Sequence, residues 1–242
     1  MSLADLEHAA ILLRDHLGAD TGSAIDCRGD STGPDMTSVW TIVVELVLNR
    51  RSRSTQTPVP ENSPLSEAAA CSKLSTLELA ALLEKSRLST RLAAPLAALA
   101  RWWADTVSVP DPDDASVGDR RDQLPWEVRR KRASRSLETV RGVSRELGER
   151  IRLFALGEPV VPVSRAAQRV FCRHGWLDLQ SEYDDWQSTL SRWAESCDLD
   201  RRQITLWLDE LGSRWCGPKP KCDECPLNDL LPRGGPYELN GE

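Results

Sequence analysis

The chain has 242 residues, 40% of them apolar and nine of them tryptophan, enough for one large or two small domains with a well-filled core. No run approaches the roughly 18 uninterrupted apolar residues of a membrane span, so no membrane partner is expected. A formal net charge of −6 argues against a general nucleic-acid binder, and seven cysteines, an odd and mostly scattered set, argue against a disulfide framework and for a reducing cytoplasm.

Helical periodicity dominates the chain, and the predicted class is all-α. Residues 3–17 read as a helix, within an acidic-tinged amphipathic segment unlike a signal peptide. Residues 18–35 are polar and rich in Gly and Asp, hence loop. The run 38–49, VWTIVVELVLN in all but its first residue, is apolar enough to be a buried helix despite its β-branched residues. Three prolines mark 50–64 as loop. A short helix opens in 64–71, and Ser75-x-x-Glu78 forms a capping box for a helix over 76–85. Residues 90–104 are helical, with Pro95 in the first turn or at a kink. A mobile insert is expected over 106–136. Two helical patterns follow in 137–156, broken at Arg141-Gly142-Val143, then helices over 165–174, 182–197 and 201–215. By this reading 1–36 is an N-terminal helix and loop, 37–231 the main helical domain and 232–242 a tail. The terminal helices share one lobe and the middle of the chain forms the other.

Two stretches carry chemistry. In LETVRGVSRELG, 137–148, a helix gives way to a glycine turn and a second helix begins. Backbone N–H groups at the start of that second helix can receive a DNA phosphate, and Gly142 lets the backbone come close. Between 120 and 152, eleven Arg and Lys stand against five Asp and Glu, a net +6 inside an acidic chain. Such a run serves DNA binding or forms a solvated face. The second stretch holds Cys216, Cys222 and Cys225, spaced C-x5-C-x2-C, with Pro218 and Pro220 stiffening the approach and Lys219 and Lys221 offsetting thiolate charge. That spacing suits a metal centre, although zinc sites and iron–sulfur clusters usually take four ligands.

Taken together, the apolar helix, the hairpin, the run FALGEPVVPV at 154–163, the helix after it and the cysteine loop resemble the helix-hairpin-helix/Gly-Pro-Asp DNA glycosylases, endonuclease III branch, over residues 38–231. The resemblance implies a two-lobed helical fold with a DNA-facing cleft, double-stranded DNA as partner, base excision repair as context and a [4Fe–4S] cluster in the cysteine loop. It assigns DNA contacts to Arg141, Gly142, Val143, Ser144 and Arg145. Arg50 and Arg51 fall where the family wedges side chains into the stack vacated by a flipped base.

Three positions depart from the pattern. Glu146 stands where the family's lysine forms a Schiff base with the opened sugar; a carboxylate cannot, so β-elimination by that route is not expected. Ser164 stands where the family's aspartate supports an oxocarbenium-like transition state, and a neutral hydroxyl lacks that charge, a loss of several orders of magnitude in rate. No Asp or Glu lies within 159–176 to replace it, and Ser164 also reads as a helix N-cap. Leu231 stands at the family's fourth cysteine; Cys172 and Cys197 are on apolar helical faces. A cluster with a distant or non-cysteine ligand, a zinc site and a metal-free loop all stay open. The expected function is a monomeric, cytoplasmic, endonuclease III-like DNA-binding protein with lost or reduced glycosylase and AP-lyase chemistry, a pseudoenzyme. The alternatives are a monofunctional glycosylase using Glu138 or Glu146, and an interaction module that kept the fold without DNA.

Overall fold

Apolar residues at helical spacing fold into ten α-helices and four short 3-10 turns, with no strand among the described residues. The computed structural model describes residues 3–18, 35–49, 59, 63–107 and 126–239. The chain divides into two compact units, one of 25–50 and 56–158, the other of 1–24, 51–55 and 159–242.

The first of these holds α2 (Met36–Leu48), α3 (Ala68–Lys73), α4 (Thr76–Lys85), α5 (Ala93–Thr106), α6 (Trp126–Leu137) and α7 (Arg145–Phe154). Helix α2 opens on Asp35, whose carboxylate accepts from the amides of Thr37 and Ser38. Val39, Trp40, Val43, Val44 and Val47 are buried, so burial outweighs the weak helix preference of β-branched residues. Trp40 Nε1 donates to Leu65 O at 2.9 Å, which satisfies its one polar atom inside the core. The short helix expected at 64–71 is divided: a 3-10 turn spans Pro64–Ser66, Glu67 is extended, and α3 follows. The capping box on α4 forms as expected, with Glu78 N donating to Ser75 Oγ and Ser75 N to Glu78 Oε2. Pro95 lies in the first turn of α5.

The hairpin differs from expectation in where its first helix lies. That helix is α6, upstream of the run read as helical, and it ends at Leu137. Thr139 N and Val140 N then make tight turn bonds back to Ser136 O and Leu137 O, and Thr139 Oγ1 also bonds Ser136 O, which stops the helix. Of the span 106–136, residues 126–136 belong to α6, anchored by buried Ala133 and Ser134, while 108–125 fall outside the described residues. Trp102 Nε1 bonds Ser136 Oγ at 2.8 Å and ties α5 to α6. Glu158 accepts from Ser134 Oγ and Arg152 Nε, each at 2.8 Å, and Arg130 donates to Leu156 O and Gly157 O, fixing the end of α7 against α6.

The second unit packs α1 (Leu3–Leu17), α8 (Arg165–Arg173), α9 (Tyr183–Ser196) and α10 (Arg201–Arg214) around a tryptophan-rich core. Phe171 lies edge-on to Trp176, Trp186 and Trp193, with ring centroids 5.2, 6.1 and 5.8 Å away. Trp193 Nε1 donates to Leu6 O at 2.9 Å and Trp207 Nε1 to Gly18 O at 3.2 Å, so α1 is tied to α9 and α10. Helices α8 and α10 approach closely at Gly212, where a methyl group would overlap the Ala166 side chain. No helix among the described residues is long and apolar enough to cross a membrane.

Candidate nucleic-acid hairpin and cysteine pocket

In the first unit, Gly142 takes φ +85° at the tip of the turn between α6 and α7. A Cβ there would meet nothing within 4 Å, so the requirement for glycine is conformational, and the turn stands open. Arg141, Gly142, Ser144 and Arg145 are exposed and Val143 is half-buried against the core. Ser144 caps α7, its hydroxyl accepting from Leu147 N at 3.3 Å. Arg145 pairs with the buried Glu149 at 3.5 Å. The five hairpin residues named from the sequence therefore share one turn. Arg50 and Arg51 lie outside the described residues.

The two alternative carboxylates are both engaged. Glu146 pairs with Arg150 at 3.2 Å on the same helix, and Glu138 with Arg152 at 3.5 Å. In the second unit, Ser164 is buried and caps α8 by accepting from Ala167 N at 3.1 Å. Its hydroxyl is used for folding the helix, in agreement with its reading as an N-cap.

The cysteine loop follows from local geometry. Helix α10 ends at Trp215, and Lys221 N bonds back to Trp215 O at 2.8 Å, closing the loop that returns the chain to Cys216. A 3-10 turn over Cys222–Glu224 then brings Cys225 N onto Cys222 O at 3.0 Å. Cys216, Cys222 and Cys225 consequently line one pocket, and Leu231 lines it with them. Burial pushes the Cys216 thiol up from its ordinary pKa, while the Arg173 hydrogen bond and charge pull it back; burial also raises Cys225. Among the described residues, no three His, Cys, Asp or Glu side chains are grouped so that they could hold one metal ion. Thiolates on a single zinc, each about 2.3 Å from the metal, would have to converge on one point.

Three residues at or beside the pocket were not singled out in the sequence. Arg173 is buried and donates to Cys216 Sγ at 3.2 Å, Gly217 O at 2.7 Å and Pro218 O at 3.2 Å. Arg169, one turn earlier, donates to Cys216 O at 2.7 Å. His174 is buried with Nδ1 2.7 Å from Val170 O and Nε2 3.2 Å from Leu227 O. The available signal was two arginines four residues apart on α8, a spacing that puts both on one face. Cys172 and Cys197 do not line the pocket; burial raises the Cys172 thiol to about 11.

The fold has counterparts among solved structures. It matches a trapped endonuclease III–DNA covalent intermediate, an estranged-adenine complex, with a TM-score of 0.61 and 14% identity over 95% of each chain. It matches a non-covalent endonuclease III–DNA complex with a TM-score of 0.59 and 14% identity, over 96% of this chain and 95% of that one. It also matches a thermostable thymine-DNA glycosylase, with a TM-score of 0.56 and 18% identity over 94% and 95%. No protein-family model and no curated protein matches the chain. The fold is that of the helical, endonuclease III-like DNA glycosylases.

Proposed function

We propose that this chain is a monomeric DNA-binding protein, acting on double-stranded DNA in the cytoplasm, with glycosylase and AP-lyase chemistry lost or much reduced. The observation that carries the binding half is the hairpin: an open Gly142 turn with φ +85°, flanked by exposed Arg141 and Arg145 and capped by Ser144 at the start of α7. A helix N-terminus there favours a phosphate by its dipole and its amides. The loss of chemistry rests on Glu146 and Ser164. One is ion-paired with Arg150, and the other spends its hydroxyl on a helix cap. Neither supplies an amine for a Schiff base or a free carboxylate for a developing cation.

The cysteine pocket is assigned to a [4Fe–4S] cluster. What supports this reading is that three thiols line one pocket and a buried guanidinium, Arg173, hydrogen-bonds one of them. Among the described residues no carboxylate pairs with Arg173, so a buried cation there calls for an anionic neighbour. Cys216, Cys222 and Cys225 of the loop would hold such a cluster, and Arg173 of α8 would hydrogen-bond one of its thiolates.

Duplex DNA titrated at several salt concentrations tests the binding. Affinity should fall linearly on a log–log plot, and Arg141→Ala should lower the slope by about 1 as one phosphate contact is lost. A flat salt response would rule out DNA as the partner. Glu146→Lys with Ser164→Asp tests the chemistry. The double variant should gain strand cleavage at abasic sites and a borohydride-trappable adduct that the parent chain lacks. Cleavage by the parent at rates equal to the double variant would sink the proposed loss.

A further inference from the structure

The basic run that precedes the hairpin does not act as one block. Arg130 turns inward: it donates to Leu156 O at 3.4 Å and Gly157 O at 3.2 Å and pairs with Glu127. Arg132 is half-buried, with one guanidinium nitrogen out of reach of solvent. Lys131 and Arg135 point the other way and are exposed. Four residues apart on α6, they share one face. Among the described residues, neither pairs with a carboxylate. The two carboxylates within helical reach are engaged elsewhere. Glu127, four residues before Lys131, pairs with Arg130, and Glu138, three after Arg135, pairs with Arg152 at 3.5 Å. Other arginines of the chain are treated differently. Arg145, Arg150 and Arg214 each have a glutamate four residues away on the same helix and pair with it. Like charges at that spacing repel and weaken a helix, so the Lys131–Arg135 stripe costs the fold stability that no local partner returns. The complement it lacks is an external anion.

We infer that the DNA-binding surface continues from the hairpin along α6, with Lys131 and Arg135 each taking a phosphate of one duplex strand, beyond the phosphate held at the start of α7. The inference rests on duplex DNA being the partner and adds which cations outside the hairpin hold it. The stripe is continuous with the hairpin: α6 ends at Leu137, and the turn carrying exposed Arg141 and Gly142 follows directly. Duplex DNA fits such a stripe because each strand presents a regular row of fixed negative charge, one phosphate per about 3.4 Å of axis. At about 1.5 Å of rise per residue, Lys131 lies about 9 Å from the end of α6, the length of about three nucleotides. Contacts of this kind read no sequence; they set the register and orientation of the protein on the duplex. The two faces of α6 thus divide the work. Arg130 and Ser134 fasten the helix to the end of α7, and Lys131 and Arg135 are left for the phosphates.

The full-length protein and its variants are titrated with duplex DNA over a salt series, and hydroxyl-radical protection is mapped on each strand. Lys131→Ala combined with Arg135→Ala should reduce the log–log salt slope by about 2, one for each lost phosphate contact. The protected tract should shorten at one end by about three nucleotides. The Tm of this variant should not fall, because alanine favours the helix and the repelling pair is gone. Arg14→Ala combined with Lys73→Ala removes the same charge from exposed positions on α1 and α3 and should keep the parent's slope and footprint. A Lys131/Arg135 variant with the parent's slope and footprint would overturn the inference and leave the stripe to an acidic protein partner. An equal fall in the Arg14/Lys73 variant would overturn it as well, by reducing the effect to net charge. A parent chain with no salt dependence would instead overturn the DNA reading beneath it, so the two failures are told apart.

Discussion

At the scale of single residues, Ser164 shows how a fold can keep a position and change its chemistry. Its hydroxyl accepts from Ala167 N at the start of α8, inside the second unit, where water cannot replace it. Ser164→Ala should therefore cost about 1 kcal/mol, a fall in Tm of about 2–4 °C read by thermal unfolding. Ser164→Asp should keep the cap, since aspartate is an equally good N-cap and the helix dipole favours its charge. If aspartate destabilises the protein as much as alanine, the cap is not what the position provides. This residue was legible in the sequence because a cap is a local device: Ser before Arg-Ala-Ala at the start of a helical pattern is enough. Arg173 and His174 were not legible as pocket residues. Their roles depend on carbonyls and a sulfur more than forty residues further along the chain, at Cys216, Gly217, Pro218 and Leu227.

At the scale of elements, two helical glycines give opposite expectations for the same substitution. Gly148 lies within α7, and a Cβ there would meet Leu137 and Val143 at 3.9 Å, ordinary contact. Gly148→Ala should stabilise by about 0.5–1 kcal/mol, because the backbone entropy of glycine is removed and the space is present. Gly212 lies within α10, where the same methyl would overlap Ala166 of α8. Gly212→Ala should destabilise by about 1–3 kcal/mol, and Ala166→Gly should recover part of the loss, a coupling seen only between touching sites. Denaturant midpoints of the four variants decide; equal effects at 148 and 212 would remove the close-packing argument. Helices such as α4 and α10 could be read from sequence because their apolar spacing and their caps are local to the element. The first hairpin helix could not. Its residues, WEVRRKRASRSL, are strongly polar, and its apolar stripe is thin, Trp126, Ala133 and Leu137, supplemented by tertiary bonds such as Trp102 to Ser136.

At the scale of the whole molecule, the acidic net charge of −6 and the basic stretch on either side of the hairpin act together. A net-negative protein is repelled by a polyanion everywhere except at a basic patch, which favours one docking orientation and strong salt dependence. The chain order has a second consequence, for synthesis. Trp193 meets Leu6 across 187 residues of sequence, and Trp207 meets Gly18 across 189. Among the described residues, the core of α2 to α7 draws on none beyond Leu156, so it can close while the rest is still being made. Rapid-dilution refolding followed by pulsed hydrogen exchange should protect the amides of α2, α5 and α7 before those of α1; simultaneous protection would contradict this order. On a ribosome adding about 5–20 residues per second, the apolar stripe of α1 waits about 10–40 s for its partners. Leu6, Ala9, Ala10 and Leu13 are thus a transient sticky surface on every nascent copy, open to chaperones and to neighbouring chains until the last helices arrive.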